Sequence, residues 1–277
     1  QPNIHLNEKW GRGPLQNVRH IINLSENAME KGVQLLIWPE TAVTTFMKEG
    51  SRMHDLISGF LLKHDGVHLL TGLPEVVNDN GMKLYYNSIG QYADKRQLNI
   101  YRKIHPVPLA EHIPLASIFP ILKNLKLGQA NWEIGKNHTI FETAGQKYSG
   151  VICFESTFPD LMRKFVLEGA EFLTVLVNDG WYETAPEPQQ HAMQSVFRAI
   201  ENRRPLLRSA NTGISMVIDP SGRTLEQTNL NEEQVIITEI HPCTEMTFYA
   251  EYGNVFSWLM VFISLVLIGV SLKNGST

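Results

Sequence analysis

Three side chains that could carry out chemistry together each follow an apolar run typical of a β-strand. Glu40 comes directly after the run at 35–39, Lys103 follows the run at 100–102, and Cys153 ends the run that starts at Gly150. Strand ends are where functional side chains converge in layered α/β folds. A carboxylate, an ammonium and a thiol would supply a base, an electrostatic stabiliser and a nucleophile, which is sufficient for acyl transfer. The ordinary alternatives are a buried structural cysteine and a glutamate that caps a helix.

The local sequence also indicates how Cys153 would be activated. Only a thiolate attacks, and Cys153 lies between a predicted strand and a helix that starts near Pro159, so helix-terminal amides would favour the thiolate. Lys103 would add a positive charge, and Glu40 would accept the thiol proton. We expect the backbone N–H of Phe154 and the side chain of Lys103 to stabilise the oxyanion.

Histidine is the alternative base. His105, His112 and His191 lie near these segments, which leaves a Cys-His dyad open. None of the three follows a predicted strand with a partner visible in the sequence. No His-Glu-x-x-His or Cys-x-x-Cys spacing is present, so neither a metal site nor another cofactor is expected.

The elements that must position these residues alternate between strand-like and helix-like segments, which predicts an α/β fold. Helices are predicted at 14–31, 159–168 and 189–202, the last with Met193, Val196, Phe197 and Ile200 on one face. Strands are predicted at 1–4, 33–38, 68–73, 83–92, 97–102, 170–178, 206–218 and 234–240. A hairpin turn at Asn80-Gly81 favours a mixed sheet. The apolar segment 114–127 is either a core-packing loop or a lid that dips into lipid headgroups.

Composition limits the classes of function. The chain has 277 residues, enough for one large domain, and a net charge of -4 with scattered Lys and Arg, so a nucleic-acid partner is not expected. The two cysteines are Cys153 and Cys243. Pairing would consume the proposed nucleophile, so both are predicted to be free thiols.

The segment 255–272 has no charged residue and predicts a transmembrane helix. Its 18 residues would rise about 27 Å, close to the roughly 30 Å hydrocarbon core of a bilayer. A buried core helix is the alternative. Lys273 follows the segment, whereas 245–254 has no Lys or Arg, so the positive-inside rule predicts a cytoplasmic Lys273 and a catalytic domain on the opposite side. Gln1 to Ile4 is not a secretory leader, and we expect the chain to be a fragment of a longer membrane protein.

Several motifs resemble those of one enzyme family. Trp38-Pro39-Glu40, Tyr101-Arg102-Lys103 and Cys153-Phe154-Glu155 are similar to motifs of the carbon-nitrogen hydrolase (nitrilase) superfamily. More narrowly, the segments 103–108, 111–114, 178–182 and 204–213 resemble the catalytic domain of the bacterial apolipoprotein N-acyltransferase family. The resemblance implies that Glu40, Lys103, Cys153 and Glu111 are catalytic and that Phe154, Glu155, Trp181 and Tyr182 bind substrate. It also implies a four-layer α-β-β-α sandwich with mixed sheets at 1–250, then a transmembrane helix and short cytoplasmic tail at 251–277.

The activity implied by this resemblance is that of a membrane acyltransferase. A fatty acyl chain would pass from a phospholipid, through a thioester on Cys153, to the N-terminal α-amine of a diacylglyceryl-modified apolipoprotein. The implied location is the bacterial inner membrane, with the domain on the periplasmic or outer face. A nitrilase-type amidase acting on a small amide and a catalytically silent membrane-tethered binding domain are the alternatives. The apolar C-terminal segment favours the acyltransferase, because a soluble amidase has no use for it.

Overall fold

The computed structural model describes residues 1–113, 131–180 and 186–274, in which two β-sheets pack face to face. The first sheet has four strands, in the spatial order β1 (Leu35–Ile37), β2 (His68–Asp79), β3 (Met82–Ala93) and β4 (Arg96–Arg102). The pair β1/β2 is parallel, and the pairs β2/β3 and β3/β4 are antiparallel. The sheet is therefore mixed, as the hairpin predicted.

The second sheet contributes the strand that ends at the candidate nucleophile. Its six strands, in spatial order, are β10 (Thr224–Gln227), β9 (Met216–Ile218), β8 (Leu206–Ala210), β7 (Phe172–Val177), β6 (Gln146–Ile152) and β5 (Ile140–Thr143). The central strands β6, β7 and β8 are parallel, and the outer pairs are antiparallel. All six residues of β7 are buried, as expected for a parallel strand covered on both faces.

Helices cover the outer face of each sheet. The helices of the described residues are α1 (Leu6–Gly11), α2 (Pro14–Met29), α3 (Arg52–Leu61), α4 (Pro159–Leu167), α5 (Glu187–Asn202), α6 (Phe248–Tyr252) and α7 (Val255–Asn274). Alternation along β2 sends Leu69 and Leu73 outward into a cluster with α2 and α3, whereas Leu70 packs inward with Ile89 and the second sheet. With α4 and α5 on the far side, the architecture is the four-layer α-β-β-α sandwich that the resemblance implied.

The turn between β2 and β3 confirms the hairpin prediction. Asp79 pairs with Met82 across a two-residue loop, and Asn80 and Gly81 both have positive φ, at 51° and 88°. Two such residues are the signature of a type I′ turn, whose twist matches that of the flanking strands.

Two predicted strands are wrong. Residues 1–4 and 234–240 have no strand assignment, because their hydrogen bonds go to loops rather than to a sheet ladder. The α-amino group of Gln1 donates to the carbonyl of Gln234 at 3.0 Å, and the Gln1 side chain accepts from Thr228 Oγ1 at 2.6 Å. The chain start is thereby attached to the loop that follows β10.

The apolar residues predicted on one face of α5 differ in their burial. Val196 is buried, whereas Met193, Phe197 and Ile200 are 48%, 50% and 47% exposed. The side that packs inward also carries the small residues Ala192 and Ala199. Small side chains let α5 lie close to its neighbours in the second half of the sandwich, so the large apolar residues point outward.

The C-terminal helices differ in how they contact the domain. The helix α6 is attached to α4, because Arg163 donates to the carbonyls of Tyr249 at 3.1 Å and Glu251 at 2.8 Å. By contrast, α7 is 20 residues long with a mean hydropathy of 2.5, and none of its apolar stretch is buried against the other described residues. It is long and apolar enough to cross a membrane. The predicted domain boundary at 250/251 falls inside α6, and the predicted lid at 114–127 lies outside the described residues.

Gly72 of β2 packs directly against the segment that carries Glu40. A Cβ at this position would lie 2.5 Å from the backbone nitrogen of Thr41 and 2.7 Å from Cα of Glu40. We expect Gly72→Ala to lower the free energy of unfolding by about 1–3 kcal/mol, because backbone atoms must move to admit the methyl group. Chemical denaturation measures this change.

The matched control is Gly59→Ala in α3, where an added Cβ would meet nothing within 4 Å. Helix propensity predicts that this variant is stabilised by about 0.5–1 kcal/mol. An equal response of the two variants to denaturant would contradict the close approach at Gly72.

Candidate active site

Glu40 reaches the site from a tight segment after β1. The backbone of Trp38 donates to Leu70 at 2.8 Å, and Gly72 donates to the carbonyl of Pro39 at 3.2 Å, so β2 guides the segment beyond the strand end. Thr41 has a φ of 49°, a left-handed conformation that costs free energy in a β-branched residue. Lys9 supports this turn, because its Nζ donates to Thr41 Oγ1 at 2.6 Å.

Lys103 is placed by the strand beside it. Its backbone N–H donates to the carbonyl of Asn87 at 2.9 Å, and its own carbonyl accepts from Gly135 at 2.8 Å. The residue is 1% exposed. A buried ammonium requires anionic partners, since an unpaired buried charge is very costly.

Cys153 sits on a strained turn. It follows β6 directly, has a φ of 50°, and begins a 3-10 turn, Cys153–Thr157, that leads into α4. A sharp turn from a strand into a helix lifts the side chain of its first residue out of the sheet, and backbone strain of this kind is concentrated at functional sites.

The structure brings the predicted residues together around the ammonium of Lys103. Its Nζ donates to both carboxylate oxygens of Glu111, at 2.7 and 2.9 Å, and lies 3.6 Å from Glu40 Oε1. Asn87 Nδ2 donates to Glu40 Oε1 at 2.8 Å and lies 3.4 Å from Glu111 Oε1. The electrostatic influence of Glu40, Lys103 and Glu111 extends to the thiol of Cys153. The arrangement therefore holds a carboxylate, an ammonium and a thiol in one place.

The protonation of these groups follows from burial and from each other's charges. Burial raises the pKa of Glu40, and Lys103 counteracts this effect. Burial alone would lower the pKa of Lys103, but the two carboxylates outweigh it and hold the pKa above the ordinary value. Burial, followed by the charge of Glu40, raises the pKa of Cys153 well above its usual range. The resting group is thus a thiol, so a base must take its proton when sulfur attacks.

Glu155 is held by a tyrosine and by backbone N–H groups, and its contact with substrate stays a prediction. It is fully buried, and its Oε1 accepts from Tyr101 Oη at 2.7 Å and from the backbone N–H groups of Ile104 and His105 at 2.7 and 3.0 Å. Its Oε2 accepts from the N–H of Ile152 at 2.8 Å. Glu155 therefore connects the backbone beyond Lys103 to the backbone before Cys153, which is a positioning role.

Of the remaining predicted substrate contacts, Phe154 lies within the described residues. Phe154 is half-buried, with its ring edge-on to Phe158 at 5.2 Å between centroids, and Phe158 stacks on His105 at 4.2 Å. Its contact with substrate stays a prediction. Trp181 and Tyr182 lie outside the described residues.

Sequence reasoning missed several polar residues at the site. Lys9 and Asn87 gave no signal, since neither stands at the end of a predicted strand beside a motif. His191 was considered only as an alternative base. In the structure its Nδ1 lies 2.7 Å from Asp179 Oδ1. One ring nitrogen of His191, one carboxylate oxygen of Asp179 and Sγ of Cys153 all lie within 4.8 Å of one another. Asp179 also pairs with a buried arginine, so hydrogen bonding accounts for this cluster without a metal ion.

The opposed effects of Glu40 and Lys103 on the thiol can be tested by alkylation. In a Cys243→Ser background, Glu40→Gln should speed the reaction of Cys153 with iodoacetamide, because the carboxylate raises the pKa of the thiol. Lys103→Met should slow it, because the ammonium lowers that pKa. The rate should change roughly tenfold for each unit of pKa. Intact mass against time, at several values between about pH 7 and 9, gives the rates.

The control for this experiment is Lys31→Met, which replaces an exposed lysine beyond the end of α2 and should leave the rate unchanged. Circular dichroism verifies that each variant is folded. Slower alkylation in Glu40→Gln than in the parent would show that the carboxylate does not act on the thiol as the geometry indicates.

Comparison with known proteins agrees with this fold. Two solved structures have similar folds. Saccharomyces cerevisiae Nit3 matches with a TM-score of 0.62 at 18% identity, over 79% of this chain and 82% of that one. An amidase of the nitrilase superfamily from Nesterenkonia AN1 matches with a TM-score of 0.59 at 18% identity, over 79% of this chain and 82% of that one. At these identities the likeness concerns the fold alone.

Sequence comparison is more specific. The apolipoprotein N-acyltransferase of Geobacter metallireducens is 32% identical over 281 residues, which cover 100% of this chain and 53% of the relative. The apolipoprotein N-acyltransferase of Chlorobaculum tepidum is 31% identical over 96% of this chain and 55% of the relative. The chain thus spans about half the length of these relatives. Residues 12–245 match the carbon-nitrogen hydrolase family, and the chain belongs to that family.

Proposed function

We propose that this protein is an acyltransferase that moves a fatty acyl chain from a phospholipid, through a thioester on Cys153, to the N-terminal α-amine of a diacylglyceryl-modified apolipoprotein. The observation that carries the proposal is the convergence of Glu40, Lys103 and Cys153 in a chain that aligns along its whole length with relatives named apolipoprotein N-acyltransferase. The unburied apolar helix α7 supports a substrate that resides in a membrane.

In the first half-reaction Cys153 Sγ attacks the ester carbonyl of the phospholipid while Glu40 accepts the thiol proton. The raised pKa of Glu40 suits this task, because a carboxylate with a higher pKa is a stronger base. Lys103 and the backbone N–H of Phe154 are the proposed donors to the oxyanion. Collapse of the tetrahedral intermediate breaks the ester C–O bond. The leaving lysophospholipid alkoxide takes the proton from Glu40, and the acyl group remains on sulfur.

In the second half-reaction the α-amine of the lipoprotein attacks the thioester carbonyl. Glu40 accepts a proton from the amine, the C–S bond breaks, and the proton passes to the departing sulfur. The products are an amide and the free thiol of Cys153. Glu111 touches neither substrate in this scheme. Its bidentate contact keeps Lys103 charged and oriented through both steps.

The thioester intermediate provides the main test. Incubation with phospholipid in mixed micelles should add the mass of one acyl chain, and peptide mapping should place it on Cys153. Cys153→Ser should carry no adduct, because a serine hydroxyl needs a far stronger base, and Glu40→Gln should accumulate little. Cys243→Ser is the matched control and should acylate like the parent, because Cys243 lies in the segment after β10, where its backbone N–H donates to the carbonyl of Glu171 at 3.0 Å.

An adduct on Cys243, or none in the parent protein, would overturn the proposal. Hydrolysis of a small amide without any lipid adduct would instead favour the nitrilase-type amidase, which needs the same three residues. Binding of lipoprotein without turnover would favour the silent binding domain.

The proposal includes an orientation in the bacterial inner membrane. With α7 across the bilayer, Lys273 lies on the cytoplasmic side and the catalytic domain on the periplasmic or outer face. Protease added to spheroplasts should therefore cleave the domain, and inverted vesicles should protect it. Protection in spheroplasts together with cleavage in inverted vesicles would show the reverse orientation.

A further inference from the structure

A chain of polar side chains lies beside Cys153 that the two half-reactions do not use. It consists of Asp179 after β7, His191 in the first turns of α5, and Arg208 in β8. Asp179 and Arg208 are 1% and 2% exposed, and Arg208 Nη2 donates to Asp179 Oδ2 at 2.9 Å. The backbone at Gly213 packs tightly against the Asp179 carboxylate, because a Cβ on Gly213 would lie 2.5 Å from Asp179 Oδ2.

Both ring nitrogens of His191 face hydrogen-bond acceptors. Asp179 Oδ1 lies 2.7 Å from Nδ1. A carboxylate and a peptide carbonyl only accept hydrogen bonds, so each nitrogen contacts its acceptor as a donor. The second nitrogen, Nε2, faces the turn that starts at Cys153. It lies 3.2 Å from the backbone carbonyl oxygen of Cys153 and 3.2 Å from Ser156 Oγ. Ser156 Oγ donates to the same carbonyl at 2.9 Å.

The Cys153 carbonyl belongs to the peptide unit whose N–H is that of Phe154. A trans peptide is planar, and its C=O and N–H point in opposite directions. Contacts that hold the carbonyl oxygen of Cys153 therefore also set the direction of the Phe154 N–H. This control matters because Cys153 has a φ of 50°, a strained conformation that persists only when surrounding contacts maintain it.

We infer that His191, oriented by Asp179 and Arg208, is a positioning residue that aims the Phe154 N–H at the oxyanion. The inference rests on the proposed function, since it takes Cys153 as the acylated nucleophile. Glu40 keeps the role of base, and His191 exchanges no proton with substrate. Ser156 shares the task, because both side chains contact one carbonyl oxygen.

The rate of thioester formation in single turnovers with phospholipid in mixed micelles tests this role. His191→Leu should lower the acylation rate by roughly 10- to 100-fold and leave the lipid concentration at half-maximal rate nearly unchanged, because an oxyanion donor acts in the transition state. His191→Gln should recover most of the rate, since its amide N–H can reach the position of Nε2 and donate to the Cys153 carbonyl. If His191 had only a structural role, His191→Gln would not acylate faster than His191→Leu when the two proteins are equally stable.

Three controls distinguish the possible outcomes. His20→Leu removes another histidine–carboxylate pair, 2.6 Å from Glu233, and should leave the rate unchanged. Ser156→Ala keeps the inference testable if His191→Leu does not fold, and it should slow acylation in the same direction. Thermal melts identify variants that lose stability rather than alignment.

Parent-like acylation by His191→Leu would overturn the inference. So would a His191→Gln protein as slow as His191→Leu, because an amide cannot accept a proton and that result would make His191 the general base. Failure of the proposed function looks different, since the parent protein itself would then form no adduct on Cys153.

Discussion

The buried ammonium of Lys103 organises the site. An ion taken out of water costs several kcal/mol even after relaxation, so a lysine that is 1% exposed persists only with close anionic partners. Glu111 supplies two short contacts, and Glu40 a longer one of 3.6 Å. Removing one partner of such a buried pair typically costs about 3–5 kcal/mol, because the other charge is left uncompensated. The position of each catalytic group therefore depends on the others.

Burial and charge together decide which group holds the proton at rest. Burial and the negative charge of Glu40 outweigh the positive charge of Lys103 at the thiol of Cys153, so an anion on sulfur is unfavourable. The thiol is therefore the resting form, and attack by sulfur requires a base that takes its proton. A nucleophile that ionises only during attack is also less exposed to oxidation than a resting thiolate.

The frame that holds this geometry depends on contacts between distant parts of the chain. Glu155 ties the backbone beyond β4 to the end of β6. Lys9 of α1 holds the turn at Thr41. These bonds join helices, loops and strand ends rather than neighbouring strands, so they hold in place residues that lie on loops and turns.

The sequence predicted the α/β fold and the convergence of Glu40, Lys103 and Cys153, whose catalytic roles stay predictions. Each of these side chains follows an apolar run, and strand ends at one edge of a sandwich lie close together. Partners such as Lys9 and Asn87 carry no such signal. Lys9 looks like any charged residue of an amphipathic segment.

The sequence predicted the helix α5 and its apolar residues, but not which of its faces is buried. The 3.6-residue period places Met193, Phe197 and Ile200 on one face, but it does not state which face packs inward. Close packing favours the side with Ala192 and Ala199, and this choice depends on the distance between layers. The extended segments at 1–4 and 234–240 show a related limit, since apolar alternation indicates an extended backbone without naming a strand partner.

The attachment of α6 to α4 limits how far the domain can move relative to α7. Only Gly253 and Asn254 separate α6 from α7, and two residues span at most about 7 Å. Arg163 fixes α6 to the helix that begins directly after the turn at Cys153. The short connection therefore keeps the domain close to the first turn of α7. The distance of Cys153 from that turn is set by the fold rather than by the length of a flexible linker.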